Sequence, residues 1–222
     1  MKKLVSVLLA AAMVLSLAAL AGCHKDDYVP EGPTDVDYGE VKYVRYDDGS
    51  ALTFDYLDCF SRSSDEEESF VANTEDDKSV LSYEFFDSYK DYEHTTEYYK
   101  VPSRKYAEIA AYSDEEALDY MKIALGMVSS QGAEYTVDGF KFEKNEGYLM
   151  LSLEVTAKYQ KTGEIQKLWI VKYVVENERV YTIQAFAPKS LDTKYGPAFK
   201  GVEFDLENAV TNGVTAGENG AE

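Results

Sequence analysis

Alternation of apolar and polar positions is strongest in the middle of the chain. Leu149, Leu151, Leu153, Val155, Ala157 and Tyr159 interleave with Tyr148, Met150, Ser152, Glu154, Thr156 and Lys158. One face is apolar and the other mixed, which is the period-two signature of a half-buried strand. Lys161-Thr162-Gly163-Glu164 then predicts a turn, and Ile165 to Val175 a second strand with Trp169, Val171, Tyr173 and Val175 on one face. Glu176-Asn177-Glu178-Arg179 is a second turn, followed by a third strand, Val180 to Ala187, which Pro188 ends. Tyr135 to Glu143 predicts a strand ahead of all three. Links this short imply an antiparallel meander.

The period changes before that meander. Ser113-Asp114-Glu115-Glu116 matches a capping box, in which the serine accepts from an early backbone N–H and the third residue after it reaches back. Ala117, Leu118, Met121, Leu125 and Val128 follow at helical spacing, and Gly132 closes the segment. A second helical stripe, Tyr195, Phe199, Val202 and Leu206, comes after Pro188, and Pro197 inside it sets the expected helix start near Gly196. Towards the amino end, Val41 to Tyr46 and Leu52 to Leu57 predict a hairpin around Asp47-Asp48-Gly49. Ser79 to Phe86 predicts another strand, and Ser103 to Ala110 fits a short helix or a strand. Strands, helix, strands, helix is an α+β order, an antiparallel β-sheet covered by helices.

The chain begins differently. Met1-Lys2-Lys3 is cationic, and Leu4 to Ala21 is an apolar run of 18 residues with only Ser6 and Ser16 as weak polar points. That is the layout of a secretory signal, with an uncleaved membrane-spanning helix as the alternative. Leu20-Ala21-Gly22-Cys23 resembles the lipobox of bacterial lipoproteins. The resemblance implies that the Cys23 thiol receives a diacylglyceryl group and that the chain is cut before it. Acyl chains on one cysteine would hold the protein to a membrane, facing outside the cytoplasm. Residues 1–22 are then a signal peptide and 23–37, with Pro30, Gly32 and Pro33, a flexible tether. Residues 38–206 form a single α+β domain. Residues 207–222, without an aromatic side chain, form a disordered tail.

One further likeness concerns the domain. Tyr181-Thr182-Ile183-Gln184-Ala185-Phe186-Ala187-Pro188, followed by Tyr195, Pro197, Phe199 and Val202, resembles the closing segment of the PsbP-like family. Leu52-Thr53-Phe54-Asp55-Tyr56 resembles its early strand, and the capped helix at Ser113 falls where that family has one. The resemblance implies an α/β/α sandwich, in a family that includes many exported bacterial lipoproteins. The chain departs from the family at Asp58-Cys59-Phe60-Ser61, where a Pro and a Trp are common, and at Glu203-Phe204, where Ser-Phe is.

Charge narrows the partners. Against 22 Lys and Arg stand 41 Asp and Glu, a net charge of −19. Nucleic acid, whose phosphates need cations, is excluded as a partner. Only Cys59 remains once Cys23 is lipidated, so no internal disulfide is available. The Cys59 thiol reads as a small buried hydrophobe, with Asp55 and Asp58 raising its pKa. A zinc site is not expected: His24 lies in the tether and His94 is the one histidine of the domain. There is no Gly-x-Ser-x-Gly elbow and no glycine-rich phosphate loop. No cofactor is expected. Asp65-Glu66-Glu67-Glu68 and Glu75-Asp76-Asp77 read as solubilising clusters, with a calcium-responsive domain as the sharper alternative.

Tyrosine is the remaining signal, with 19 against 10 Phe and a single Trp. An apolar ring with a polar tip suits recognition of sugars, peptides or proteins. The dense stretch nominates Tyr83, Phe86, Tyr89, Tyr92, Tyr98 and Tyr99 as ligand-binding residues. The sequence therefore predicts a membrane-anchored lipoprotein outside the cytoplasm, a non-enzymatic binding or assembly module. Its expected partner is an envelope protein or surface ligand. The alternative is a carboxylate-dependent hydrolase of envelope or extracellular substrates.

Overall fold

Two antiparallel sheets share one aromatic-rich core. The computed structural model describes residues 37–47, 49, 51–62, 69–76, 78–86, 105–125 and 132–211. Among them the elements run β1 (Tyr43–Tyr46), β2 (Leu52–Leu57), β3 (Ser61–Arg62), β4 (Ser69–Asn73), β5 (Val80–Phe86), α1 (Tyr106–Ala110) and α2 (Asp114–Lys122). They continue with β6 (Ala133–Asn145), β7 (Tyr148–Tyr159), β8 (Ile165–Val175), β9 (Val180–Pro188), α3 (Lys189–Tyr195), β10 (Phe199–Phe204) and α4 (Leu206–Thr211). A seven-stranded sheet has the order β3-β4-β5-β9-β8-β7-β6, and a three-stranded sheet the order β1-β2-β10.

The meander forms as expected. Leu149 pairs with Val174, Leu153 with Ile170 and Val155 with Leu168, so the apolar side chains of β7 and β8 share a face. Against that face pack Ile109 of α1 and Ala117, Tyr120 and Met121 of α2. The helix α2 starts as the sequence predicts: Ser113 Oγ accepts from Glu116 N at 3.3 Å, and Glu116 Oε2 accepts from Ser113 N at 2.8 Å. It becomes a 3-10 turn at Ile123–Leu125, and Val128 lies outside the described residues. The opposite face of the large sheet carries Trp169 and Tyr173 of β8, Tyr181 and Ile183 of β9, and Leu81 and Tyr83 of β5. The three-stranded sheet covers these with Leu52, Phe54 and Phe199. Ring contacts join the two sheets: Tyr46 and Phe70 have centroids 4.6 Å apart, and Phe204 stacks on Tyr173 at 4.3 Å. Strands β8 and β9 are thus apolar on both sides, which explains their near-continuous hydrophobic runs.

Three expectations change. The molecule is mostly antiparallel sheet with few helices. Helices α1 and α2 cover one face, but a second sheet, with α3 and α4 beside it, covers the other, where the α/β/α sandwich would place helices. The stripe at Tyr195, Phe199, Val202 and Leu206 is not one helix. α3 stops at Tyr195, Gly196 adopts φ 97°, and β10 then pairs antiparallel with β2. A bulge between Lys200 and Glu203, with Gly201 at φ 59°, inserts an extra residue. That insertion breaks the period-two pattern and leaves apolar spacings that mimic a helix. Finally, the folded chain continues past residue 206: α4 runs to Thr211, and Ala209 is fully buried.

The hairpin β1–β2, with Tyr46 opposite Phe54, and the strand β5 form as predicted. Ser103 to Ala110 resolves as the helix α1 over its described part. Strands β3 and β4 carry no clear pattern in the sequence, yet they pair Ser61 with Asn73 and Phe70 with Tyr83.

Candidate functional site

The small sheet does not reach across the whole face of the large one. It packs on Tyr148 and Met150 at one end of β7, but Ser152 and Glu154 further along remain partly exposed. A groove of about 310 Å³ opens there. Its floor and walls include Gly139 and Lys141 of β6, Ser152 and Glu154 of β7, Trp169 of β8 and Phe199 of β10. Sheet register sets this arrangement. Gly139 lies opposite Glu154, Glu154 opposite Trp169, and Lys141 opposite Ser152. Directly opposed residues point to one face. A Cβ at Gly139 would rest in ordinary contact with the Glu154 side chain, 3.8 Å away, so the glycine leaves that part of the floor open without being required by it.

A charged cluster flanks the groove. A bulge between Val137 and Gly139 carries Asp138. Lys167, only 8% exposed, donates to Asp138 Oδ2 at 2.8 Å and Glu154 Oε1 at 2.9 Å. Thr156 Oγ1 donates to the same Asp138 oxygen at 2.6 Å. Burial alone would push the Asp138 pKa up, but hydrogen bonds from Lys167 and Thr156 outweigh it and hold the carboxyl below its usual range. Burial would likewise lower Lys167, and the hydrogen bonds to Asp138 and Glu154 raise it instead. Asp192 of α3 behaves oppositely. Burial raises its pKa, with Glu154 and Asp138 adding to the rise and Lys167 and Lys189 opposing it. Tyr43, raised by burial and by Asp192, donates to the Pro197 carbonyl at 2.7 Å.

Chemically, the groove offers an indole and a phenyl ring beside a serine, a lysine and a glutamate. Asp138 and Glu154 both hold Lys167. Lys141 is paired with Glu143 at 2.6 Å. Lys167 therefore holds the Glu154 carboxylate in place beside the rings, which suits recognition by shape and hydrogen bonding.

Of the residues nominated on tyrosine density, Tyr83 and Phe86 are among the described ones. Tyr83 is 3% exposed in the core between the sheets, so its ring has no open face for a ligand. Phe86 ends β5 opposite Val180. Tyr89, Tyr92, Tyr98 and Tyr99 lie outside the described residues, as do Cys23, His24, His94 and the cluster 65–68. Of the second acidic cluster, Asp76 accepts from Tyr38 Oη at 2.8 Å and from Thr74 Oγ1 at 2.7 Å, which ties it into the fold. Among the described residues no group of three or more His, Cys, Asp or Glu could hold a metal ion, and no helix is long and apolar enough to cross a membrane. Two signals could have pointed to the groove from the sequence. One is the single tryptophan. The other is Gly139 inside a strand, a residue that often marks a bulge or a close approach.

No family model matches the chain, and no curated protein is significantly similar to it in sequence. Solved structures similar to it include the solution structure of cyanobacterial PsbP (CyanoP) from Synechocystis sp. PCC 6803. That match has a TM-score of 0.40 and 13% identity, covering 74% of this chain and 95% of that one. The crystal structure of the Saccharomyces cerevisiae Ran-binding protein Mog1p matches with a TM-score of 0.40 and 8% identity, over 79% of this chain and 92% of that one. At these scores neither likeness carries a partner or an activity to this chain.

Proposed function

We propose that this protein is a lipid-anchored module outside the cytoplasm that binds or assembles without catalysing a reaction. The groove beside Trp169 and Phe199 is its contact surface. The observation that carries this reading is the pairing of Asp138 and Glu154 with one buried ammonium. Glu154 and Asp138 already share Lys167, an arrangement that favours fixed recognition over proton transfer. The anchor is supported by Leu20-Ala21-Gly22-Cys23 behind an apolar run. A PsbP-like relationship belongs to the same reading, supported by the segment Tyr181 to Pro188 and the capped helix at Ser113.

A photo-crosslinking residue placed at Ser152 in the full chain, in its native membrane, tests the surface. The control site is Thr53, on β2 of the small sheet. A defined adduct from position 152, absent from 53 and lost with Cys23→Ser, is the expected result. Equal labelling at both positions, or none at 152, overturns the groove as the contact surface. Unchanged processing of Cys23→Ser overturns the anchor. A saturable hydrolysis lost on Glu154→Gln, with folding intact, overturns the non-enzymatic reading.

A further inference from the structure

Strand β6 is the outermost strand of the large sheet, and among the described residues no strand pairs with its outer edge. A long free edge is a template for another strand, and folded proteins commonly blunt it with lysines or bulges. β6 has both features, but their placement is specific. The bulge between Val137 and Gly139 interrupts the ladder. From Gly139 to Asn145 pairing with β7 is regular, one residue to one. That regular stretch reads Gly139-Phe140-Lys141-Phe142-Glu143-Lys144-Asn145, and its central residue is Phe142.

We propose that this edge pairs with the same edge of a second copy of the chain, antiparallel, about a two-fold axis through Phe142. Such an axis, perpendicular to the sheet, must pass through a residue pair, because opposed residues share a face. With the axis at Phe142, Lys141 of each copy faces Glu143 of the other, Phe140 faces Lys144, and the two Phe142 rings meet. Moving the axis to Phe140 sets Lys141 against Gly139 and Phe142 against Asp138. Moving it to Lys144 sets two lysines together. Only the Phe142 register matches opposite charges twice and keeps the aromatic residues in contact.

The side chains fit this use. Lys141 and Glu143 are 60% and 43% exposed, on the groove side of the sheet. They already meet at 2.6 Å within the strand, so both can turn to the partner without loss of burial. Phe140 and Phe142 lie on the other side, only partly buried against the α2 core. Lys144 Nζ sits 5.1 Å from the Phe142 ring centroid. Pairing would cover the exposed parts of four phenyl rings and continue one sheet through both copies. Both grooves would then open on one face. The net charge of −19 on each chain opposes association, and salt at physiological strength screens it. The pairing stands whether or not the groove binds a ligand.

Charge reversal tests it on the full chain in mild detergent at physiological salt, by size-exclusion chromatography with light scattering across a concentration series. The wild type is expected at twice the protomer mass. Lys141→Glu and Glu143→Lys should each give the monomer, since each sets like charges opposite one another. The double variant Lys141→Glu with Glu143→Lys should restore the dimer. A wild type that stays monomeric, single reversals without effect, or a double variant that stays monomeric overturns the proposal. Phe142→Cys in a Cys59→Ser background gives a second reading. Oxidation should link two copies through position 142 and not through Glu134→Cys. Equal linkage at both positions, or none at 142, overturns the register.

Discussion

Arg179 Nη1 donates to the Ala209 carbonyl oxygen at 2.6 Å and to that of Val210 at 3.3 Å. Tyr181 Oη donates to the same Ala209 oxygen at 3.2 Å. Carbonyls in the last turn of a helix have no partner within it. Here Arg179, just ahead of β9, and Tyr181 within it supply one, and so fasten α4 onto the core between the sheets. Arg179→Ala is expected to cost about 2 kcal/mol, the usual worth of a hydrogen bond from a charged group. Hydrogen exchange at residues 206–211 should rise more than the global loss explains. Exchange in that segment that tracks only global unfolding would remove the role given to Arg179.

Gly147 turns β6 into β7 at φ 82°, and a Cβ there would lie 2.8 Å from Leu206 Cδ2. Gly163 also has positive φ, at 71°, but has open space around it. Both should lose about 1 kcal/mol on substitution by alanine, because an L side chain disfavours the left-handed region. Gly147→Ala should lose more, since Leu206 must move as well. Urea denaturation of the two variants separates backbone cost from contact. Combining Gly147→Ala with Leu206→Ala should show coupling. Equal losses for Gly147→Ala and Gly163→Ala would show that Leu206 yields freely.

The meander and the helix α2 were legible because each is specified locally. Leu149 to Ala157 alternate without interruption, and Ser113 and Glu116 form the cap from residues three apart. β10 was not legible, because its pattern is distorted by the bulge at Gly201 and its partner β2 lies far away in sequence. Phe204 stands outside the helical stripe read at Tyr195, Phe199, Val202 and Leu206, and only the fold sets it on Tyr173. The same limit hid the groove. Trp169, Glu154, Gly139 and Phe199 come from four strands, and only sheet register plus the short reach of β10 brings them together. At Tyr83 the tyrosine signal marks packing for a related reason. Half-buried sheets consume tyrosines as packing residues, and Tyr83 is one of them.

Cys59 shows how a neighbourhood read along the chain differs from one read in space. Its thiol is pushed up to about 11, first by burial and then by Asp58 and Asp76. Asp58 was expected. Asp55 is engaged instead with Arg45 at 3.2 Å on the small sheet, and Asp76 takes its place near the thiol. The thiolate is the reacting form, so iodoacetamide at pH 8 should label Cys59 about tenfold more slowly in the native protein than in urea. Mass spectrometry of timed aliquots reads this directly. Labelling at the unfolded rate would show that the thiol is neither buried nor raised.

Asp138 and Asp192 flank Lys167 with pKa values moved in opposite directions, which gives the site two opposite pH signatures. Asp138 is lowered in the folded state despite partial desolvation. Its contribution to stability is present above the ordinary carboxylate range and is lost as pH falls through the lowered value. Asp192 is raised, chiefly by burial. The folded state therefore binds its proton more readily than the unfolded chain does, and the cost of its charge at neutral pH is relieved as pH falls through the raised value. Asp192→Asn should raise the melting temperature at pH 7 and leave it unchanged at pH 3, where the carboxyl is protonated in both states. Asp138→Asn should lower it at pH 7, and the loss should shrink as the solution becomes acidic. Lys167→Met removes the ammonium that both Asp138 and Glu154 contact. Those carboxylates are 30% and 44% exposed, so water offsets part of the penalty, and a loss of about 1–2 kcal/mol is expected. The Lys167→Met loss should shrink as pH falls through the lowered Asp138 value, because a neutral Asp138 no longer needs the cation. A loss that stays constant as Asp138 takes up its proton would mean that Lys167 acts through its packed methylene stem, with the ion pair to Asp138 contributing nothing.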